Sequence, residues 1–181
     1  MRLVKTLPFL LGLSAALGSA SAWALPTDRD QPIHIQSDDA QLDDKQGVAT
    51  YKGNVIITQG SMKITGNTVT ITRNATGDVD VFTAVGNLAY YEQKPAVDKP
   101  IVQAYGVTIQ YFAAQNRIVL IDKAKVINDG NTSEGEKIVY DTVRQIVSAG
   151  RATGSQVTTP RPRIDMVIQP KKKTEQPQKA E

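Results

Sequence analysis

The chain has no cysteine, one histidine and few aromatic residues, and these shortages exclude many classes of enzyme. Without cysteine there is no disulfide, no thiolate metal site, no cysteine nucleophile and no lipid-modified N-terminal cysteine. His34 has no second histidine with which to ligate a metal ion. With 181 residues, 40% of them hydrophobic and 22% charged, the composition is that of a globular domain, not of a wholly disordered chain or a multi-span membrane protein.

The net charge of +3 is unevenly distributed along the chain. Residues 25–159 hold 13 basic and 15 acidic side chains, so this stretch has a net charge of −2. A body of that sign lacks the basic surface that nucleic-acid binding requires. Prolines and lysines, including Lys171–Lys173, predict a basic and mostly disordered tail over 161–181, with one possible last strand at Ile164–Ile168.

The N-terminal stretch 1–24 has the pattern of a secretory signal peptide. Arg2 and Lys5 precede an apolar run from Leu7 to Leu17, which is too short to span a bilayer that needs about 20 apolar residues. Ala22-Trp23-Ala24 supplies the small-x-small cleavage pattern, so the mature chain is expected to begin at Leu25. We therefore expect an exported protein that is soluble once across the membrane.

Between residue 31 and about residue 168, almost every segment alternates apolar and polar residues with a period of two. Val69-Thr70-Ile71-Thr72 is typical of a short, half-buried strand rich in β-branched residues. Turn signals such as Gln59-Gly60-Ser61 recur about every 8–12 residues. The pattern predicts an all-β, mostly antiparallel domain of about 14–16 short strands over 25–160, interrupted by a loop at Gln93–Lys99.

A weak internal repeat relates the two halves of this domain. Three segment pairs align, and their offsets in residue number are 67, 71 and 69. The second offset places Lys52–Ile56 on Lys123–Ile127, and the third places Gly66–Ile71 on Gly135–Tyr140. The similar offsets favour a stack of similar β-layers, and chance alternation is the other explanation.

No residue pattern selects a catalytic or metal site. Four aspartates between residues 38 and 44 lack the spacing of a calcium loop, and His34 alternates with Ile33 and Ile35 and so points away from their face. No serine lies in a nucleophile elbow, and the glycines are spaced as turns and not as a phosphate-binding loop. A glycosidase-like carboxylate pair stays open, because nothing favours one pair over another. We expect neither enzymatic activity, nor a metal, nor a cofactor.

The apolar face of so many strands has two possible uses. It closes over a packed core, or it leaves an apolar interior that can bind an apolar ligand. Each buried CH₂ group contributes about 0.8 kcal/mol, so one acyl chain in a dry groove gains several kcal/mol without polar recognition. Composition does not choose between the two.

Three stretches resemble a known family: Ser37-Asp38-Asp39-Ala40-x-Leu42, Gly53-Asn54-Val55-Ile56-Ile57-Thr58-Gln59-Gly60, and Ile64–Ile71. They are similar to the OstA-like family of periplasmic lipopolysaccharide-transport proteins, and the likeness extends from about residue 29 to residue 160. The resemblance implies a twisted β-jelly roll, open along its length, with a hydrophobic groove for the acyl chains of lipid A. It also implies head-to-tail assembly with further copies, with an LptC-like inner-membrane component and with the N-terminal domain of an LptD-like outer-membrane translocon.

The resemblance and the alternation together assign residues to the groove and to the docking edges. The expected groove residues are Ile33, Ile35, Leu42, Val55, Ile57, Ile64, Val69, Ile71, Leu88, Tyr90, Val107, Ile109, Tyr111 and Leu120, with Ile33, Tyr90 and Tyr111 as the first lipid contacts. Ile33 and Ile35 are expected on the N-terminal edge, and Ile138 and Tyr140 on the C-terminal edge. An exported structural or adhesive subunit without lipid binding is the alternative function.

Overall fold

A computed structural model describes residues 28–96, 98–150 and 163–170. The signal peptide expected over residues 1–24 lies outside the described residues. The strands are β1 (Ile33–Gln36), β2 (Asp39–Asp43), β3 (Val48–Gln59), β4 (Met62–Arg73), β5 (Val79–Gln93), β6 (Val102–Phe112), β7 (Arg117–Asn128), β8 (Asn131–Asp141), β9 (Ile146–Gly150) and β10 (Asp165–Val167). Two 3₁₀ turns, Asp28–Asp30 and Ala113–Gln115, complete the described elements. No helix in these ranges is long and apolar enough to cross a membrane.

The ten described strands form one antiparallel sheet that does not close on itself. Strands β3 to β8 pair in chain order, β1 and β2 both pair with β3, and β9 and β10 both pair with β8. The expected all-β, open antiparallel architecture is confirmed. Strand β10 lies within Ile164–Ile168, where the sequence predicts one last strand, and it pairs with β8.

The expected count of 14–16 short strands is wrong, because the described residues form ten strands and six of them are long. Each of the six, β3 to β8, is interrupted by a bulge near its middle, where the pairing register shifts. At the β3 bulge, Gly53 and Asn54 both have left-handed backbone conformations, with φ of 76° and 44°. Such a bulge bends the strand and increases its twist. The turn signals in the sequence therefore marked bends inside strands as well as ends of strands.

The bulges divide the sheet into two layers. Layer A contains β1, β10 and the halves 55–59, 62–66, 89–93, 102–106, 124–128 and 131–135 of the long strands. Layer B contains β2, β9 and the halves 48–52, 68–72, 79–85, 108–112, 117–121 and 137–141. Tyr91 of layer A and Tyr111 of layer B do not pair in the sheet, yet their ring centroids are 5.6 Å apart. The sheet is thus folded on itself, and the core lies between the layers.

The two halves of the chain repeat this arrangement with one constant offset of 69 residues, which places Gly66 on Gly135. Strand β3 corresponds to β7, since Val48 pairs with Thr72 as Arg117 pairs with Asp141. The left-handed pair Asp122 and Lys123, with φ of 61° and 52°, occupies the place of Gly53 and Asn54. The offsets of 67 and 71 expected for the other two segment pairs are therefore corrected to 69. A gapless alignment was obscured because Asp-Lys replaces Gly-Asn at the second bulge.

The segment that connects β1 to β2 packs against the β3 bulge. The backbone N–H of Asp38 donates to the carbonyl oxygens of Lys52 and Gly53, at 3.0 and 3.1 Å. A Cβ atom on residue 53 would overlap the Asp38 carboxylate, whereas a Cβ on Gly77 would meet no atom within 4 Å. Both glycines have positive φ, so they differ chiefly in this close approach.

Gly53→Ala is expected to destabilise the fold more than Gly77→Ala. A left-handed alanine lowers the free energy of unfolding of both variants by about 1–2 kcal/mol. In Gly53→Ala a packing clash lowers it by roughly another 1–3 kcal/mol. Denaturant unfolding of the two variants beside the unsubstituted chain measures the difference. Equal losses of stability would contradict the role given to the bulge.

Candidate functional site

The interior between the layers holds most of the residues expected to line a groove. Eight of them are buried there, with exposed fractions of 6% or less: Val55, Ile57, Ile64, Val69, Ile71, Ile109, Tyr111 and Leu120. They form one continuous apolar cluster with residues of both layers. The expected alternation is therefore correct for these positions.

This interior opens toward the N-terminal edge of the sheet. A cavity of about 220 Å³ lies there between β1 of layer A and the strands of layer B. Its apolar lining includes Ile33, Ile35, Leu42, Tyr51 and Ile71, and the charged residues Asp43, Asp44 and Arg73 also line it. Leu42 is 61% exposed, which is unusual for a large apolar side chain whose neighbours face a core. We call this opening the mouth.

Three expected groove residues lie elsewhere, and the bulge in β5 explains two of these errors. Before the bulge Phe82 and Ala84 face the interior, and after it Ala89 and Tyr91 do, so the inward face changes from even to odd positions. The predicted inward faces of Leu88 and Tyr90 are wrong because the sequence alternation does not include this shift. Leu88 is exposed, and Tyr90 points outward. The inward tyrosine that sequence reasoning missed is Tyr91. Val107 lies within the bulge of β6 and outside the core cluster.

Tyr90 belongs to a polar patch on the outer side of layer A. Its hydroxyl donates to Glu92 at 2.6 Å and accepts from Gln103 at 3.0 Å. Its ring centroid is 5.0 Å from that of Tyr105. Burial, and then the Glu92 carboxylate, raise the pKa of Tyr90 well above its usual value. Beside this patch, an outer cavity of about 630 Å³ is lined by Leu88, Tyr105, Lys125 and Arg163 among others.

The N-terminal 3₁₀ turn fastens the tips of the two layers. Asp28 accepts hydrogen bonds from Ser61, in the turn between β3 and β4, and from Gln93 of layer A, the shortest at 2.6 Å. Arg29 donates to the backbone oxygen of Ala113 and, at 2.7 Å, to Asn116, both beyond the tip of layer B. The tips opposite the bulges are therefore held together.

Three tyrosines lie inside the molecule near these tips. Burial raises the pKa of Tyr91 far above its usual value and also raises that of Tyr111, where the nearby Arg29 guanidinium partly opposes the effect. Burial, and then the charge of Asp141, raise the pKa of Tyr140 to about 12. The Tyr91 hydroxyl donates to Gln93 at 2.6 Å, but the Tyr140 hydroxyl has no hydrogen-bond partner among the described residues.

The residues expected at the oligomer edges are placed differently at the two ends. Ile33 and Ile35 lie on β1, which pairs only with β3 in the described part of the chain. Ile138 and Tyr140 lie on β8, and both pair with β7 on one side and β9 on the other. They are fully buried, so their assignment to an edge is corrected. The strands that end the sheet there are β9 and β10.

The acidic segment between residues 38 and 44 contributes hydrogen bonds to turns. Asp38 accepts from Asn54 at 3.3 Å, and Asp43 accepts from the backbone N–H of Gln46 at 3.0 Å. Among the residues that the structure describes, no group of three or more His, Asp or Glu side chains is arranged to hold a metal ion.

Comparison with known proteins identifies the family to which this chain belongs. A family model described as "LptA/(LptD N-terminal domain) LPS transport protein" matches residues 34–146. The chain belongs to this family. The resemblance inferred from the Gly53–Gly60 stretch is therefore confirmed.

Relatives of this transport family match the chain over most of their length. Lipopolysaccharide export system protein LptH of Pseudomonas aeruginosa is 70% identical over 175 residues, which cover 97% of this chain and 100% of that protein. Lipopolysaccharide export system protein LptA of Escherichia coli K12 is 34% identical over 155 residues, which cover 85% of this chain and 83% of that protein. The crystal structure of LptH, described as a periplasmic component of the lipopolysaccharide transport device, superposes with a TM-score of 0.74 over 80% of this chain and 100% of that one.

Tyr140→Phe is expected to leave the stability of this family member unchanged or to raise it slightly. The substitution removes a buried hydroxyl that has no partner in the described structure, whereas Tyr91→Phe breaks a hydrogen bond and is expected to cost about 0.5–1.5 kcal/mol. Urea unfolding of both variants measures the contrast. A larger loss for Tyr140→Phe than for Tyr91→Phe would be inconsistent with the placement of these hydroxyls.

The interior tyrosines also predict a loss of stability at alkaline pH. Below pH 10 these groups are protonated in both the folded and the unfolded chain, so they add no pH dependence. Above pH 10 the unfolded chain releases their protons, while the folded chain retains that of Tyr140 until about pH 12. The free energy of unfolding should therefore fall as the pH rises from 10, and Tyr140→Phe should make the fall less steep. Identical pH profiles for the two proteins would refute this assignment.

Proposed function

We propose that the chain is a periplasmic carrier that takes up the acyl chains of lipopolysaccharide between layers A and B. It joins head to tail with similar domains to move the lipid from the inner to the outer membrane. The names of LptH and LptA, which describe lipopolysaccharide export proteins, support this role. The proposed role has no catalytic step, and its location follows from the export signal expected over residues 1–24.

The mouth is the structural feature that most supports lipid uptake. It is the place where an apolar interior, continuous through both layers, reaches the surface at an unpaired sheet edge. Its volume of about 220 Å³ exceeds the roughly 150 Å³ of an engineered apolar cavity that admits benzene. The mouth can therefore receive the end of an acyl chain in the observed conformation.

The energetics suit a carrier that releases its cargo. Each CH₂ group transferred into the interior contributes about 0.8 kcal/mol, and no charged side chain belongs to the buried cluster that the described residues form. Binding of this kind is spread over many similar contacts and has no single strong anchor. The lipid can then slide from one contact to the next, driven by energy supplied elsewhere.

The unpaired edges suit the proposed partners. An exposed edge strand is a template for β-augmentation, in which another chain adds a strand to the sheet. We propose that β1 and β2 receive the LptC-like inner-membrane component or another copy of the chain. Strands β9 and β10 would meet another copy or the N-terminal domain of the LptD-like translocon.

Ile33→Asp is expected to weaken lipopolysaccharide binding by about 10–100-fold, because a carboxylate replaces an apolar side chain worth about 1.5–3 kcal/mol at the mouth. His34→Asp is the matched control, since it adds the same charge to the same strand on the opposite face. Displacement of a fluorescent lipid by lipopolysaccharide measures both affinities. If the two variants bind equally well, lipid does not enter at the mouth.

Ile33 provides a cleaner test than Tyr111, the other expected contact that faces inward. Tyr111 is only 3% exposed and packs against Phe82 and Tyr91. A carboxylate at that position would be buried without a partner and would unfold the domain. The alternative role, an exported structural subunit, predicts assembly without any lipopolysaccharide binding by the unsubstituted chain.

A further inference from the structure

The internal repeat identifies β1 and β2 as the counterpart of β6. His34 pairs with Thr58 as Gln103 pairs with Ile127, and the same offset relates both pairs. The match continues to the far end of the strands, where Asp43 pairs with Val48 as Phe112 pairs with Arg117. Strand β6, however, also pairs with β5 along its other edge, whereas β1 and β2 pair only with β3 in the described structure.

Strands β9 and β10 are in turn the counterpart of β5. Ile71 of β4 corresponds to Tyr140 of β8. Ile71 pairs with Phe82, and Tyr140 pairs with Val147, so β9 matches the first half of β5. Ile64 of β4 likewise corresponds to Ser133 of β8. Ile64 pairs with Tyr91, and Ser133 pairs with Met166, so β10 matches the second half of β5. Both strands lack, among the described residues, the second neighbour that β5 has in β6.

The exposed apolar side chains lie where this missing neighbour would cover them. Leu42 is 61% exposed, and its counterpart Tyr111 is buried because its ring stacks on Phe82 at a centroid distance of 6.0 Å. The counterpart of Phe82 is Val147, on the other edge of the sheet. Met166 is 49% exposed, although its counterpart Tyr91 is fully buried. Each edge therefore exposes one half of an apolar pair that β5 and β6 make complete.

We propose that the junction between two copies of the chain reproduces the β5–β6 junction residue by residue. Strand β2 of one copy pairs with β9 of the preceding copy, with Leu42 opposite Val147. Strand β1 pairs with β10, with Ile35 opposite Met166. The inference rests on the head-to-tail assembly under the proposed function, and it adds the partner strands and the register.

The charges of the two edges agree with this pairing. Strand β2 carries Asp39 and Asp43, while Arg144 precedes β9 and Arg163 precedes β10. In the proposed register Asp43 lies opposite Ile146, close in the chain to Arg144. Unlike charges thus lie near each other where β2 meets β9, although Arg144 also lies 4.0 Å from Asp141 and β10 carries Asp165. Two N-terminal edges would instead bring aspartates together.

The same register joins the interiors of neighbouring copies. Layers A and B of one copy continue into the layers of the next, so the mouth opens onto the interior of the preceding copy instead of water. A filament built this way is a uniform stack of half-chain units, with the same junction within a chain and between chains. A lipid would then meet similar surroundings throughout.

Because the chain has no cysteine, engineered disulfides can read the register directly. The proposed alignment places Gln41 opposite Ser148, both on the outer face and both exposed. The test variant is Q41C with S148C, and the control is Q41C with I146C, the preceding position on the same face of β9. Opposed Cα atoms lie about 4.5–5.5 Å apart and diagonal ones about 7–8 Å, beyond disulfide reach, so the test variant should form intermolecular disulfides at least about ten-fold faster.

Mild oxidation of the full-length chain, followed by non-reducing electrophoresis, gives the result. A disulfide-linked ladder from the Ser148 variant supports the register. Equal or preferential linkage through Ile146 overturns it, as does the absence of linkage in a chain that native mass spectrometry shows to be oligomeric. A chain that stays monomeric overturns the head-to-tail assembly itself, while the comparison of Ile33→Asp with His34→Asp tests lipid binding independently.

Discussion

The line of bulges across the six long strands is the constraint on which the rest of the structure depends. At each bulge the pairing register shifts and the strand bends, so the single sheet folds into two facing layers. In β3 and β7 this requires two successive residues in the left-handed region, which Gly53 and Asn54 adopt at little cost. Asp122 and Lys123 hold the same conformation, which aspartate adopts occasionally and lysine rarely.

Folding a single sheet in this way produces an interior without closing the sheet. A barrel would pair its first and last strands and remove both edges, whereas here β1, β2, β9 and β10 remain at the ends. The apolar interior consequently reaches the edge, and the mouth is the result. The proposed opening for lipid and the proposed edge for a partner thus follow from the same open geometry, so one molecule could serve as both carrier and bridge.

Much of the fold was predictable because alternation reports directly which face of a strand is buried. It located Ile57, Ile64 and Ile109 correctly, and the family resemblance supplied the open architecture. The failures concentrate where bulges intervene, since a bulge can exchange the two faces of a strand without any strong signal in composition. Tyr90 and Tyr91 are adjacent and chemically identical, so only the register across the β5 bulge decides which one faces the interior.

The edge assignment failed at the C-terminal end for a different reason. Ile138 and Tyr140 have the alternation of any strand, and nothing local reveals that β9 covers them. Position in a sheet is a property of topology, which pairwise alternation does not encode. The repeat contained the missing information, but its single offset became apparent only when the paired residues were compared.

We propose that the interior between the layers carries lipid and extends through assembled copies. Native mass spectrometry of the chain from Leu25, titrated with lipopolysaccharide or with a detergent-matched phospholipid, tests it most directly. We expect saturable lipopolysaccharide adducts whose number rises with the number of copies in each oligomer. Oligomers that take up no lipopolysaccharide, or the same number of adducts whatever their number of copies, would contradict this proposal.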